Sequence, residues 1–532
     1  MNDQLTKAYF SSSAASTPPD RVQAYLKHEN RFGRLPFSCT LLVVRDIVDA
    51  LTFTTRSLKC GAGVKLIFDE HFSLQEAPEH VPEFDVYLHP LHSDWAYGGD
   101  VQIFGERGSG RRVITVTDSI EGVAGIMMSW RYFRDELEQG NDVTVDLSAL
   151  RARDTVNEAG LVASGPVFFA HMYHALHFHF KHRTMHSLLR LLGTLNMVVL
   201  RGGYKRGIVT SAMHCDCPHF VDYLNVPLVS IPGSHKKGAI VNDALSTEVV
   251  ELICNKVNTE SLFLQKEQSD PTLFANVCMG IFLRDRGTCL IWRINLGACA
   301  DDIDIINAFK DATRQAMELT LDWRAKTPQH NWAKLEDDLQ VAVDVMGLAN
   351  LLAKRGLSYD DFLRDMRMDT GLAKVLRMAY AYSSAVADSF CDERGIPHFE
   401  RLHCVEPAQA HSYRTHDVDG HTTCRGIWPP FDRFVNRVSN TQEIVTVDHG
   451  PVQIAADVGP DKHLDICSAW QSLLDRPHAI SYDTWKQFSI DEYEKWWSSN
   501  LQTVYYNFSK DYSQDFGRKR VTHVTLCSVC EE

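Results

Sequence analysis

The stretch Asn276–Cys299 reads NVCMGIFLRDRGTCLIWRINLGAC, and its second half, CLIWRINL at 289–296, is an apolar run of strand length. A run with so few polar breaks suits a parallel strand covered on both faces. Ahead of it, Asn276 stands two residues before Cys278, and an amide set into apolar sequence at a strand or loop end needs a hydrogen-bond partner. A buried thiol packs as a small hydrophobe, so on residue chemistry alone Asn276, Cys278 and Cys289 read equally as core and as chemistry. Outward from this stretch, strands are expected at 39–44 (CTLLVV), 63–68 (GVKLIF), 111–116 (RRVITV), 197–200 (MVVL) and 502–507 (QTVYYN). Helical patterns fill 46–59, 166–178, 305–323 and 338–356, with turn signals at Gly61-Ala62-Gly63, Gly202-Gly203 and Pro232-Gly233. Apolar strands separated by helices predict an α/β fold.

The composition agrees. The chain has 532 residues, 44% apolar and 23% charged, which excludes a mostly disordered protein. Its formal net charge of −14 argues against a general binder of nucleic acid or membrane surfaces, since no cationic surplus exists to neutralise phosphates. No apolar window is long enough for a transmembrane helix, and the opening MNDQLTKAYFSSSAASTPPD reads as a loose arm rather than a secretory signal. With no export signal, the fourteen cysteines are expected to be mostly free thiols in a reducing, cytoplasmic compartment.

Several short motifs stand out. Phe37-Ser38-Cys39 opens an apolar strand; alone it reads first as packing. Cys527-x-x-Cys530, in the polar stretch SKDYSQDFGRKRVTHVTLCSVCEE, reads as a dithiol on a mobile tail, a placement that suits thiol–disulfide exchange better than metal binding. Tyr505-Tyr506 lies in a strand-like run, where neighbours point to opposite faces. VEPAQAHSY at 405–413 joins an apolar lead-in to Pro, small residues and hydroxyls, a pattern able to present backbone N–H groups to an anion. His171, His174 and His177 share a helical face, and His182 and His186 lie four apart, but no carboxylate or Cys interleaves, so helix packing is favoured over a metal site. Cys215-x-Cys217, flanked by His214 and His219, likewise reads as a loop.

Taken in order, these pieces resemble the catalytic (large) subunit of ribonucleotide reductase. FSCTLLVVRDIVDALTFTTRSLKCGAGV resembles that family's first barrel strand and helix; SGPVFFAHMYHAL and LRGGYKRGIVTSAMHCDCPHFVDYLN resemble a later helix and strand. NVCMGIFLRDRGTCLIWRINLGAC is similar to its finger loop and the strand after it. VEPAQAHSY followed by GIWPPF occupies the place of its phosphate loop, LQTVYYNFS that of its paired tyrosines, and CSVCEE that of its dithiol tail. The resemblance runs from about residue 31 to 532.

The resemblance implies a ten-stranded α/β barrel, two five-stranded parallel half-sheets around a central finger loop. It divides the chain into an arm (1–30), a catalytic barrel (31–510) and a flexible tail (511–532). It implies that Cys278 carries a thiyl radical that abstracts the 3′ hydrogen of a ribonucleotide, that Cys39 and Cys289 supply two electrons and end as a disulfide, and that Asn276 holds the substrate hydroxyl. It further implies that Cys527 and Cys530 re-reduce that disulfide and are recycled by thioredoxin or glutaredoxin. The substrate diphosphate is expected on Pro407, Ala408, Gln409, Ala410, His411 and Ser412, with help from Ser38. Tyr505 and Tyr506 resemble the radical relay of class I enzymes, fed by a separate ferritin-like, metal-containing small subunit; the alternative source is adenosylcobalamin, as in short class II monomers. The short chain resembles compact phage-type members, which would place it in a host cytoplasm. Only 38 residues precede Cys39, so an ATP-binding regulatory cone is expected to be absent.

One position departs from the pattern. The family motif is Asn-x-Cys-x-Glu, its Glu acting as general base on the 3′ hydroxyl, and here that place is Gly280. Glu406, just before the Pro of the phosphate loop, is the expected substitute. The departure keeps a second class of function open, a catalytically silent nucleotide-binding paralogue. A general thiol–disulfide oxidoreductase would account for Cys527 and Cys530 but not for Asn276 or the tyrosines.

Overall fold

The computed structural model describes residues 39–59, 62–74, 101–104, 111–116, 142–146, 165–198, 200–201, 205–206, 208–233, 235–326, 332–408, 412, 415–438, 444–474 and 478–507. The arm, Ser38, Gln409, Ala410, His411, Cys527 and Cys530 lie outside them. The chain is a mixed α/β protein of two compact units, one holding Cys39–Leu41 and the residues from Gly238 onward, the other Leu42–Lys237. No helix among the described residues is long and apolar enough to cross a membrane.

In the Leu42–Lys237 unit, strand Gly63–Phe68 runs parallel to Val209–His214, with Val64 opposite Val209. Every residue of both strands is buried, which explains their lack of polar alternation. The helices Gly165–His182 and Met185–Val198 follow one another. The strand expected at 197–200 is therefore corrected: Met197 and Val198 close the second helix, and only Leu200–Arg201 is extended. Leu188, Leu189, Leu191, Leu192 and Leu195 form one buried helical face, and this packing overrides the β-branched pair that suggested a strand.

The other unit carries a hairpin where the finger is expected. Phe274–Ala275 and Phe282–Leu283 pair as an antiparallel hairpin whose tip is Asn276–Ile281. Strands Ile291–Asn295, Gln340–Met346 and Arg401–His403 form a parallel sheet. The helices Asp302–Lys326 and Gly371–Arg394 are joined through a Thr313–Ser383 hydrogen bond and the Phe309–Tyr380 ring contact. The strand Lys236–Val241 lies parallel to Phe263–Lys266, which in turn pairs antiparallel with Thr503–Val504.

The helix expected over 338–356 is two elements. Gln340–Met346 is a wholly buried strand, and Leu348–Lys354 is the helix. Alternating valines at 341, 343 and 345 favour the strand. Gly347 makes the joint at φ +81°, where an added Cβ would come within 2.8 Å of Asn295 Oδ1. The third correction concerns the tyrosines. The strand ends at Val504, so the rings of Tyr505 and Tyr506 do not alternate across a sheet but pack together, centroids 4.1 Å apart.

Candidate active site

Cys39 and Cys289 are 250 residues apart in sequence and directly opposite in space. Strands Cys39–Val43 and Thr288–Cys289 pair antiparallel with these two residues in register, and their sulfurs are 3.0 Å apart. Both are fully buried free thiols. Burial first, then the Cys289 thiol and the Glu406 carboxyl, pushes the Cys39 thiol well above its usual range, while the Val277 backbone N–H pulls the other way. That N–H belongs to the finger tip, so the loop lies against the thiol pair.

The tip is built around Asn276. Its backbone N–H donates to Ile281 O at 2.7 Å, and its side-chain Oδ1 accepts from Gly280 N at 3.2 Å and Ile281 N at 3.3 Å. Its Nδ2 donates to Glu406 Oε1 at 2.6 Å and reaches Cys289 Sγ at 3.8 Å. This is the partner that the sequence demanded for a buried amide. Cys278, 5% exposed, sits at the turn, its carbonyl accepting from Ser481 Oγ at 2.5 Å. Met279 next to it adopts φ +67°, a left-handed conformation held by Thr503 Oγ1, which donates to its carbonyl at 2.9 Å. The Gly280 carbonyl accepts from Ala479 N at 2.9 Å.

Gly280 has an ordinary φ; what it supplies is room. A Cβ there would come 2.5 Å from Glu406 Cγ and 3.0 Å from Val405 O. The Glu406 side chain thus fills the volume that a side chain at 280 would need. Glu406 is fully buried, and its Oε2 has no hydrogen-bond partner among the described residues. Burial, reinforced by Cys289 and Asp344, pushes its carboxyl well above the usual carboxylate range against the pull of Arg293 and the Asn276 amide.

Three groups beside Glu406 were not singled out in the sequence. Arg293 and Asp344 face each other in register on adjacent parallel strands, Nε to Oδ2 2.7 Å, and both are buried. Burial raises the Asp344 carboxyl to about 6 even with Arg293 beside it. Cys404, fully buried, has its thiol pushed well above its usual range by burial and by the nearby Asp344 and Glu406. A lone charge inside each of two apolar strands, IWRIN and VAVDVM, was the signal that could have revealed the pair.

No protein-family model and no curated protein sequence matches this chain. Solved structures do. It is similar to a B-12-dependent (class II) ribonucleotide reductase, with TM-score 0.62 and 10% identity over 91% of this chain and 79% of that one. It is also similar to the class Id ribonucleotide reductase alpha subunit of Actinobacillus ureae, with TM-score 0.52 and 10% identity over 92% and 93%. The chain has the fold of a ribonucleotide reductase catalytic subunit.

Within that fold the remaining candidate residues are distributed as follows. Pro407 and Ala408 are buried, as is Ser412, whose backbone N–H donates to Ala408 O at 2.8 Å. Tyr505 and Tyr506 are buried with Phe263, whose ring lies 4.7 and 5.5 Å from theirs, in the apolar cluster that also contains Met279 of the finger tip. The histidine-rich helix supplies no metal-ligand cluster among the described residues. His179 Nδ1 instead pairs with Ser187 Oγ at 3.0 Å. His214, Cys215 and Asp216 do bring ligand atoms together, but Cys217 points away, to Phe72 O at 3.9 Å.

Proposed function

We propose that this chain is a ribonucleotide reductase catalytic subunit that converts ribonucleotides, most simply diphosphates, to 2′-deoxyribonucleotides for DNA synthesis in the cytoplasm. The reading includes a ten-stranded barrel over residues 31–510, an arm before it and a dithiol tail after it. The observation that carries it is the buried string Cys39–Cys289–Asn276–Glu406 lying against a finger loop that bears Cys278.

In this reading Cys278, as a thiyl radical, takes the 3′ hydrogen, forming an S–H bond and leaving a carbon radical. The Glu406 carboxylate accepts the 3′ hydroxyl proton; its unpartnered Oε2 is the atom free to do so. A carboxyl with a raised pKa is the stronger base once ionised. The 2′ hydroxyl takes a proton from one thiol of the Cys39–Cys289 pair and departs as water, the other thiol gives its hydrogen to the 2′ carbon, and Glu406 returns its proton to the 3′ oxygen. Cys39 and Cys289 are oxidised to a disulfide as the substrate is reduced by two electrons, and the hydrogen on Cys278 returns to the 3′ carbon, restoring the radical. Asn276 orients the sugar hydroxyls, and Pro407–Ser412, with Ser38, holds the phosphates. Cys527 and Cys530 then reduce the disulfide by exchange and are themselves reduced by thioredoxin or glutaredoxin.

For the radical source, the side chains favour the relay. Tyr505 and Tyr506 lie in ring contact within an apolar cluster that includes Met279 of the finger tip, a placement that suits a tyrosine relay, so a ferritin-like small subunit is the expected partner. One of the similar solved structures is B-12-dependent, so adenosylcobalamin is the second reading, and no step is assigned to it. The test is incubation of the purified chain with each radical source, a dithiol and a ribonucleotide. Deoxyribonucleotide formed with a small subunit, and abolished in Tyr505→Phe or Tyr506→Phe, supports the reading; product with adenosylcobalamin alone transfers it to class II; no product from any source rejects it.

A further inference from the structure

The dipeptide Glu406–Pro407 joins the two halves of the proposed chemistry, since Glu406 carries the carboxylate and Pro407 begins the phosphate loop. The two ends of this dipeptide are gripped by one buried ion pair. Asp344 Oδ1 accepts from the Glu406 backbone N–H at 3.1 Å, and Arg293 Nη2 donates to Pro407 O at 3.2 Å. Arg293 Nε and Asp344 Oδ2 complete the grip at 2.7 Å. Asp344 is itself fixed, its Oδ1 also accepting from Val345 N at 2.7 Å. Exposure of the two side chains is 7% for Arg293 and nil for Asp344.

A buried ion pair is weak support for stability, because desolvation offsets most of the attraction and an apolar pair of similar volume does as well. The positions of these groups therefore call for another account. From the grip, we infer that Arg293 and Asp344 are positioning residues that set the Glu406 carboxylate against Asn276 and couple its placement to the phosphate loop. The inference rests on the proposed reductase reading. Neither residue touches the reacting atoms; each acts through the backbone of Glu406 or Pro407. A misplacement of about 1 Å at a reacting group costs on the order of 10²-fold in rate.

The electrostatics give the pair a signature that packing alone lacks. The charged or titratable groups facing Glu406 are Cys39 and Cys289 from the paired strands, Cys404 from its own lead-in, and Asp344 and Arg293 from the parallel sheet. Asp344 raises the Glu406 carboxyl and Arg293 lowers it. Asp344→Asn is expected to move the titration of Glu406 to lower pH and Arg293→Gln to higher pH.

The decisive experiment is a set of kinetic cycles on the full chain with its radical source. In the wild-type background Asp344→Asn should lower kcat roughly 10–100-fold. In the Glu406→Gln background the same change should have little further effect. Equal losses in both backgrounds would overturn the inference. Because removing one member of a buried pair can prevent folding, Arg293→Met/Asp344→Leu provides a folded chain without the grip. It should keep its melting temperature and lose the same 10–100-fold; full activity in it would overturn the inference. A non-catalytic readout separates this from the reductase reading. The infrared carboxyl band that disappears in Glu406→Gln should titrate in opposite directions in the Asp344 and Arg293 variants. If no radical source yields product, the reductase reading fails, while the band still decides the positioning role; unmoved titration in both variants would refute it.

Discussion

Two walls of the same site are built on opposite principles. The finger wall, Asn276–Ile281, contains no charged side chain and is shaped by one amide that organises its turn and by backbone carbonyls that accept from Ala479 N, Ser481 Oγ and Thr503 Oγ1. The strand-end wall holds Glu406, Asp344 and Arg293, all buried, all interacting. In the family pattern that the sequence resembles, the carboxylate belongs to the finger. Here Gly280 leaves a gap on that wall and Glu406 fills it from the other. The comparison teaches that the volume a side chain at 280 would take can be filled by a carboxylate delivered from another element.

The largest effect should come from removing that charge without changing its shape. Glu406→Gln is expected to lower kcat by ~10²–10⁴-fold, the usual worth of general-base help, with the fold intact by circular dichroism. An unchanged turnover would return the carboxylate role to neither wall. Next is the pH dependence of stability. Asp344 titrates at about 6 in the folded chain and near 3.8 when unfolded. Its folded form therefore holds a proton that the unfolded chain releases, and stability should fall as pH rises through about 6, by about 3 kcal/mol if Asp344 acts alone. Glu406 acts in the same direction. Buried His179, His235, His463 and His478 are held neutral by burial and act in the opposite direction, so the contribution is read as a difference. From pH 4 to 8 the melting temperature of Arg293→Met/Asp344→Leu should gain on that of the wild type as pH rises; a difference that does not change with pH would contradict the placement of charge on this wall.

A smaller effect tests the volume exchange. Gly280→Glu should destabilise by about 1–3 kcal/mol through overpacking against Glu406. Gly280→Glu/Glu406→Gly should recover most of that loss, because the pair share one space. Additive destabilisation, measured by chemical denaturation, would show that the two positions are not coupled. Asn276→Ala removes the 2.6 Å hydrogen bond to the Glu406 carboxyl together with the two that Oδ1 accepts from Gly280 N and Ile281 N, and should cost at least about 1–3 kcal/mol of stability by chemical denaturation.

The finger wall was largely legible in the sequence. Asn276 and Cys278 announced a polar group and a thiol at a loop, and the missing carboxylate at Gly280 directed attention to Glu406 beside its proline. The strand-end wall was less so. Arg293 and Asp344 each appear as one charge in an apolar strand, and only the parallel register that places them opposite one another reveals a pair. The run 338–356 concealed a strand because its valines merge into a leucine-rich helix across Gly347, whose positive φ is a property of the backbone rather than of the letter pattern. The ring contact between Tyr505 and Tyr506 was hidden for a related reason, since the strand pairing stops at Val504.

The central claim is that Cys39 and Cys289 are the reductant and that the finger thiol works against them. It is tested most directly by one anaerobic single-turnover experiment on Cys527→Ser/Cys530→Ser, with a radical source, a ribonucleotide and no external dithiol. The account predicts one deoxyribonucleotide per active chain, the loss of two thiols, and a Cys39–Cys289 disulfide in the peptide map. Product without that disulfide, or a disulfide joining any other pair, would contradict it.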